Sequence, residues 1–158
     1  MNYKSSRGWR NNNPLNIRRG EEWQGLVAKQ NRTDKEFCQF LNQTWGYRTG
    51  YKVMKSYARF FRQQGKPMTI EKVISRWAPA NENNTRAYID TVCNLLCLAP
   101  DTQLWLWSVY DTVRIGRLMA AMTCVECGCK PGEVNYGAIV HGIILAGGKE
   151  VKTETLML

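Results

Sequence analysis

Gly46-Tyr47-Arg48-Thr49-Gly50-Tyr51-Lys52-Val53-Met54-Lys55-Ser56-Tyr57-Ala58-Arg59-Phe60-Phe61 is the stretch on which the fold turns. Tyr47, Tyr51, Met54, Ala58 and Phe61 recur at spacings of three or four, the period of one helix face. Gly65 and Pro67 close that helix, since glycine ends helices and proline does not continue them. Downstream, Thr69 is a suitable N-cap for a helix carrying Ile70, Val73, Ile74 and Trp77, stopped near Pro79. Asn83 or Asn84 caps the next, which carries Tyr88, Ile89, Val92, Leu95 and Leu96. A longer helical stretch begins over Leu104 to Tyr110. It continues through Ile115, Leu118, Met119 and Met122 to about Glu126, ending at Gly128 with Pro131 beyond. A last helix covers about Val134 to Leu145 and stops at Gly147-Gly148.

Upstream the pattern differs. Asn11-Asn12-Asn13-Pro14 is a turn signal, followed by an extended Leu15-Asn16-Ile17-Arg18. Trp23-Gln24-Gly25-Leu26-Val27 reads as a second extended piece, and Glu36-Phe37-Cys38-Gln39-Phe40 alternates with period two. Three short strands in a small N-terminal antiparallel sheet are therefore expected. The fold class is α+β, mostly helical. One domain spans 1–148, with sheet and turns over 7–44 and helices over 46–147, and 149–158 is expected to be a flexible tail.

The 158 residues carry 22 Lys and Arg against 13 Asp and Glu, a formal charge of +9, with 44% apolar residues. That apolar share excludes wholesale disorder and is enough for one core. The charge is uneven: residues 1–79 hold 16 cations against 5 acids, and residues 80–158 hold 6 against 8. An anionic partner is implied, whether nucleic acid, membrane surface or acidic polymer. No apolar run reaches the ~20 residues of a membrane span, and residues 1–14 lack the apolar core of a secretion signal. Synthesis in the cytoplasm without self-export is expected, and so are reduced cysteines. Cys93 and Cys97 suit small buried hydrophobes. Cys124, Cys127 and Cys129 form CxxCxC without the second ligand pair of a structural zinc site, so no metal and no cofactor is expected.

Walker, GxGxxG, Gly-x-Ser-x-Gly and HExxH motifs are absent, which leaves carboxylates as the acid–base groups. His141, between Val140 and Gly142 on an apolar helix, is expected to pack. Glu126 shares its helix face with Met122, Leu118 and Ile115 and sits in the last turn. Desolvation and the helix dipole both raise the pKa of a carboxyl so placed, as a general acid requires. Glu22, before Trp23, is the second candidate; Glu21 points to the opposite face of a strand and suits a hairpin tip. Arg76 to Thr85 is a polar loop with Trp77 at its entry. Trp77 reads as a core anchor there, while Asn81 and Asn84 suit helix capping and sugar binding about equally.

Longer motifs add a resemblance. Arg7-Gly8-Trp9-Arg10-Asn11-Asn12-Asn13-Pro14-Leu15-Asn16-Ile17-Arg18, then Trp23-Gln24-Gly25, Phe37, Phe40 and Gly46-Tyr47-Arg48 carry its first part. Ile74-Ser75-Arg76-Trp77-Ala78-Pro79, Glu82-Asn83-Asn84-Thr85 and Tyr88-Ile89 carry its second. Together they resemble the lysozyme-like virion-associated proteins of phages and prophages, over residues 7–92 and again at Met122 to Gly128. The resemblance implies a lysozyme-like domain whose cleft takes a peptidoglycan glycan strand. Asn12, Asn13, Asn16 and Ile17 are similar to the Asn-Asn-x-x-x-Ile turn of flagellar-type glucosaminidases, whose catalytic Glu ends a helix upstream of that turn. Residues 1–10 contain no acid. Ala120 to Gly128, in turn, is similar to the helix-ending Glu-Ser-Gly segment of lytic transglycosylases. With the two chain termini as neighbours in space, a permuted chain order would give Glu126 that role.

The expected activity is then cleavage of peptidoglycan by a single protonated Glu, with Glu126 as the acid and Glu22 as its competitor. Asn13, Asn16, Trp23, Asn81, Glu82, Asn84 and Tyr88 are the expected glycan-binding residues. Glu22 or Glu82 would be the second acid of a two-carboxylate hydrolase. Other virion proteins are a further class of partner, with virion association or release to the cell wall as the expected location. Two alternatives stand beside this reading: a virion or structural module that binds cell wall without cutting it, and a basic nucleic-acid-binding protein. The second rests on the basic half alone, with aromatics at core spacing and no recognised motif.

Overall fold

In the computed structural model, which describes residues 2–105 and 109–158, the elements follow in the order α1 (Arg7–Arg10), α2 (Gln43–Gln63), α3 (Ile70–Trp77), α4 (Thr85–Leu96), α5 (Val109–Cys127), α6 (Tyr136–Leu145) and α7 (Thr153–Leu156). Single 3-10 turns lie at Tyr3–Ser5, Lys29–Asn31 and Pro131–Glu133. Polar caps set the starts. Asn42 accepts from Trp45 N at 3.3 Å and opens α2 three residues before Gly46. Thr69 caps α3, Asn84 caps α4 and Asn135 caps α6, each satisfying an amide that the helix leaves without a partner. Leu104 and Trp105, expected inside the long helix, lie outside any helix. Gln103 bridges Thr69, and Leu104 N donates to Met68 O at 2.8 Å. Residues 106–108, also expected there, lie outside the described residues.

The helical part follows the expected stripe. Tyr47, Tyr51, Met54, Ala58 and Phe61 are all buried, as are Ile70, Val73 and Ile74 of α3 and Ile115, Leu118, Met119 and Met122 of α5. α5 packs against α1, α2, α4, α6 and α7. One buried polar link joins it to α2: Thr123 Oγ1 donates to Met119 O at 2.9 Å, so Tyr47 OH donates to Thr123 Oγ1 at 2.7 Å. Burial pushes the Tyr47 phenol well above its usual range, which keeps it a neutral donor. α6 approaches α2 through Gly142, where an added Cβ would lie 2.7 Å from Arg48 N and 2.8 Å from Thr44 O. None of these helices is long and apolar enough to cross a membrane, among the described residues.

The small N-terminal antiparallel sheet is not present, and the expectation of an α+β fold is corrected: among the described residues there is no strand, and the fold is helical. Segment 17–19 does run antiparallel to 36–38, and 25–27 to 39–41, but only as isolated bridges at Arg18–Phe37 and Leu26–Phe40. Local groups end each ladder before it grows. The Asp34 carboxylate takes the amides of Glu36 and Phe37, both at 2.9 Å. A 3-10 turn at Lys29–Asn31 then separates the second pair from the first. The alternation read at Glu36 to Phe40 is real as burial, with Cys38 and Phe40 facing the core.

The stretch 149–158, read as a flexible tail, holds α7 and packs. Val151 and Leu156 are buried, and Arg117 Nη1 donates to Met157 O at 2.7 Å.

Candidate functional site

Glu126 occupies the last turn of α5. Gly128, at φ +69, takes the left-handed conformation that ends the helix two residues later. The N-terminal turn meets this helix end. Asn13 is fully buried; its Nδ2 donates to Ile17 O at 2.9 Å and Cys38 O at 3.0 Å, and its Oδ1 accepts from Ile17 N at 2.9 Å. That closed turn holds Asn16 at φ 50, a left-handed conformation that asparagine tolerates better than most residues. Asn16 Nδ2 then reaches Glu126 Oε1 at 3.1 Å across 110 residues of sequence. Gly8 permits the approach: a Cβ there would lie 2.8 Å from Asn13 O and Asn16 Oδ1 and 3.0 Å from Cys127 Sγ.

From the other side, Tyr88 of α4 donates its hydroxyl to Glu126 Oε2 at 2.9 Å. Each carboxyl oxygen thus has a neutral donor. Burial raises the pKa of Glu126, and the hydrogen bonds from Asn16, Tyr88 and the Trp77 indole only partly oppose it. Burial also drives the Tyr88 phenol well above its ordinary value, with the Glu126 charge acting the same way.

The carboxyl opens onto a cleft of about 280 Å³. Asn16, Arg18 and Phe37 form one wall, Val53 and Tyr57 of α2 the next, and Trp77, Ala78, Glu82 and Asn83 the third. Tyr57 and Trp77 meet edge to face, with ring centroids 6.3 Å apart. At the rim Arg18 Nη2 lies 3.7 Å from Glu82 Oε2. A hollow of about 390 Å³ between Pro131 and the C-terminal residues is lined by neither carboxylates nor cations.

The raised pKa of Glu126 has a consequence for stability. As pH rises past the ordinary value of 4.5, the unfolded chain gives up this proton before the folded one does. The stability that Glu126 contributes is whole below 4.5 and is lost as pH climbs through the folded pKa. Glu126→Gln is therefore expected to gain stability relative to the native protein as pH rises from 4.5 through the folded pKa, with no further gain above it. Thermal unfolding across a pH series measures this, and a difference that ignores pH would contradict it.

Of the residues expected from sequence, Asn16, Glu82, Tyr88 and Glu126 come together, the first, second and last lining the cleft and Tyr88 reaching the carboxyl from behind. The others lie elsewhere. Glu22 is exposed and receives Arg32 Nη1 and Nη2 on its two oxygens, each at 3.0 Å. That pairing lowers its pKa, the wrong direction for an acid at neutral pH. Asn13 spends its amide on the turn, Trp23 packs against the core, Asn84 caps α4 and Asn81 sits exposed in the preceding turn. His141, expected to pack, is exposed on α6. Cys127 Sγ lies 3.5 Å from Pro14 O and Cys129 Sγ 3.8 Å from Thr123 O, both thiols buried. Among the described residues no group of three His, Cys, Asp or Glu side chains is placed to hold a metal ion.

The sequence by itself singles out none of Arg18, Phe37, Val53, Tyr57 and Trp77 as site residues. For α2 a signal existed: Val53 and Tyr57 are four apart and off the core stripe, on a second helix edge.

No protein-family model matches the chain. It is similar to Protein P5 of Pseudoalteromonas phage PM2, with 37% identity over 132 residues, covering 81% of this chain and 75% of that protein. Identity at that level over most of both chains makes this a phage-related protein, and it belongs to the family of Protein P5 of phage PM2.

Proposed function

We propose that this phage-related protein cleaves the glycan of the bacterial cell wall, with Glu126 as general acid. The observation that supports it best is a carboxyl with a raised pKa at the floor of an open cleft, fixed through both oxygens by Asn16 and Tyr88. A protonated Glu126 gives its proton to the glycosidic oxygen as positive charge develops on the sugar ring. The carboxylate left behind is the base for the incoming nucleophile, water or a hydroxyl of the sugar itself. Tyr57 and Trp77 offer aromatic surface for a sugar face.

Clearing of a purified cell-wall suspension tests the reading. The native protein should lower turbidity fastest where Glu126 is protonated, and Glu22→Gln should leave the rate within about twofold, as expected of an exposed ion pair. Constant turbidity at every pH would overturn the proposal.

Tyr88 is a positioning residue in this scheme. Its hydroxyl favours the charged form of Glu126, so Tyr88→Phe should raise the Glu126 pKa further and move the alkaline limb of the rate profile to higher pH. A lower rate with the limb unmoved would mean that the hydroxyl does not tune the acid.

One observation favours a second reading, glycan binding without cleavage. Asn16 and Tyr88 both donate to Glu126, an arrangement that suits a carboxylate better than an acid. Sedimentation of the protein with insoluble cell wall that it fails to clear would select this reading.

A further inference from the structure

We propose that Arg18 is a specificity-determining residue of the cleft, exchanging its ion pair with Glu82 for a carboxylate on the bound glycan. The inference rests on the cleft being a glycan site, and it names the class of glycan: anionic rather than neutral.

Three observations single out Arg18. It lines the same cavity as Glu126. Its side chain is held in place: the Arg18–Phe37 bridge sets the backbone, and the guanidinium carbon lies 5.0 Å from the Phe37 ring centroid. Its ion pair is also loose, at 3.7 Å with side chains 60% and 50% exposed. Neighbouring cations differ. Arg7 grips Asp34 through Nε and Nη2 at 2.7 and 2.8 Å, and Arg32 grips Glu22 through two bonds of 3.0 Å.

A long, exposed ion pair contributes little to the fold, so its cation is free to change partner at small cost. A guanidinium is suited to that exchange, because its planar fork matches a carboxylate with two parallel bonds. Glu82 is then a stand-in for the ligand: it marks where a carboxylate sits when the cleft is empty of glycan. In a cell-wall strand that group has two sources, the lactyl carboxylate of a sugar stripped of its peptide or a carboxylate of the attached peptide stem. A neutral chain of N-acetylglucosamine has neither.

Titration calorimetry on Glu126→Gln protein, which prevents turnover, tests this with three soluble probes. They are a neutral N-acetylglucosamine tetramer, a stripped cell-wall tetrasaccharide with free lactyl carboxylates, and the same tetrasaccharide bearing peptide stems. At low salt an anionic probe should bind about five- to tenfold tighter than the neutral one, with the gap narrowing as salt is added. The probe showing the larger gap identifies the source of the carboxylate. A further Arg18→Gln change should close the gap without weakening the neutral tetramer, Arg18→Lys should retain part of it, and Glu82→Gln should widen it. Equal affinity for all three probes, or an Arg18→Gln loss shared equally among them, would overturn the assignment. Charge-selective binding combined with native protein that fails to clear cell wall would overturn the glycosidase reading while leaving Arg18 in its role. Absence of binding by every probe would overturn both.

Discussion

Glu126→Gln is expected to slow cell-wall clearing by about 10²–10⁴-fold, the range that a positioned general acid contributes. The substitution keeps the shape of the side chain and removes the transferable proton. Its amide oxygen still accepts from one of Asn16 and Tyr88, so the wall of the cleft is expected to survive. Loss of clearing should therefore come with retained or increased thermal stability, in keeping with the desolvated carboxyl that is removed. Activity lost together with folding would not support a catalytic role. Activity retained within about tenfold would remove Glu126 from the chemistry and leave Glu82 as the other carboxylate of the cleft.

Gly142→Ala is expected to damage the fold strongly for so small a change. The new methyl carbon would lie 2.7 Å from Arg48 N, 2.8 Å from Thr44 O and 2.8 Å from Tyr47 Cβ, so backbone rather than a pliable side chain must yield. Overpacking of this kind costs up to about 3 kcal/mol, and the better helix propensity of alanine returns about 1. A net loss of about 2 kcal/mol corresponds to a melting temperature lower by about 4–8 °C for a chain of this size. Gly137→Ala on the same helix is the control. Its Cβ meets only Asn135 Oδ1 at 3.7 Å, so the propensity gain should appear unopposed as a small rise. Equal melting temperatures for the two variants would show that α2 and α6 separate more easily than their close approach implies.

The helices were legible because their signals are local. Tyr47 through Phe61 repeats within one element, and Thr69 and Asn84 cap within three residues. The N-terminal region was misread because alternation reports which side chains face the core, not whether a neighbouring segment pairs for long enough. Cys38 and Phe40 are buried without a strand to hold them. In the candidate site, Glu126 was visible as an acid closing an apolar helix face, and Asn16 and Tyr88 through longer motifs. Arg18 was not, since it becomes meaningful only when 16–18, α2 and the α3–α4 loop converge; Tyr57 showed only as a helix residue off the core stripe. Asn13 shows the opposite case: an asparagine in a polar turn was read as facing ligand, and its amide is consumed by Ile17 and Cys38.

The bond from Asn16 to Glu126 also orders events during folding. It spans 110 residues, and the entropy of closing a loop grows with its length, so local helices form before it does. A chain emerging from the ribosome presents Asn16 early, yet that residue waits for α5 before its carboxyl partner exists. Until then the turn at 13–17 lacks that partner. Whatever chemistry the cleft performs is thereby withheld from an incomplete chain, and the cell that makes the protein meets it only after most of the core has closed.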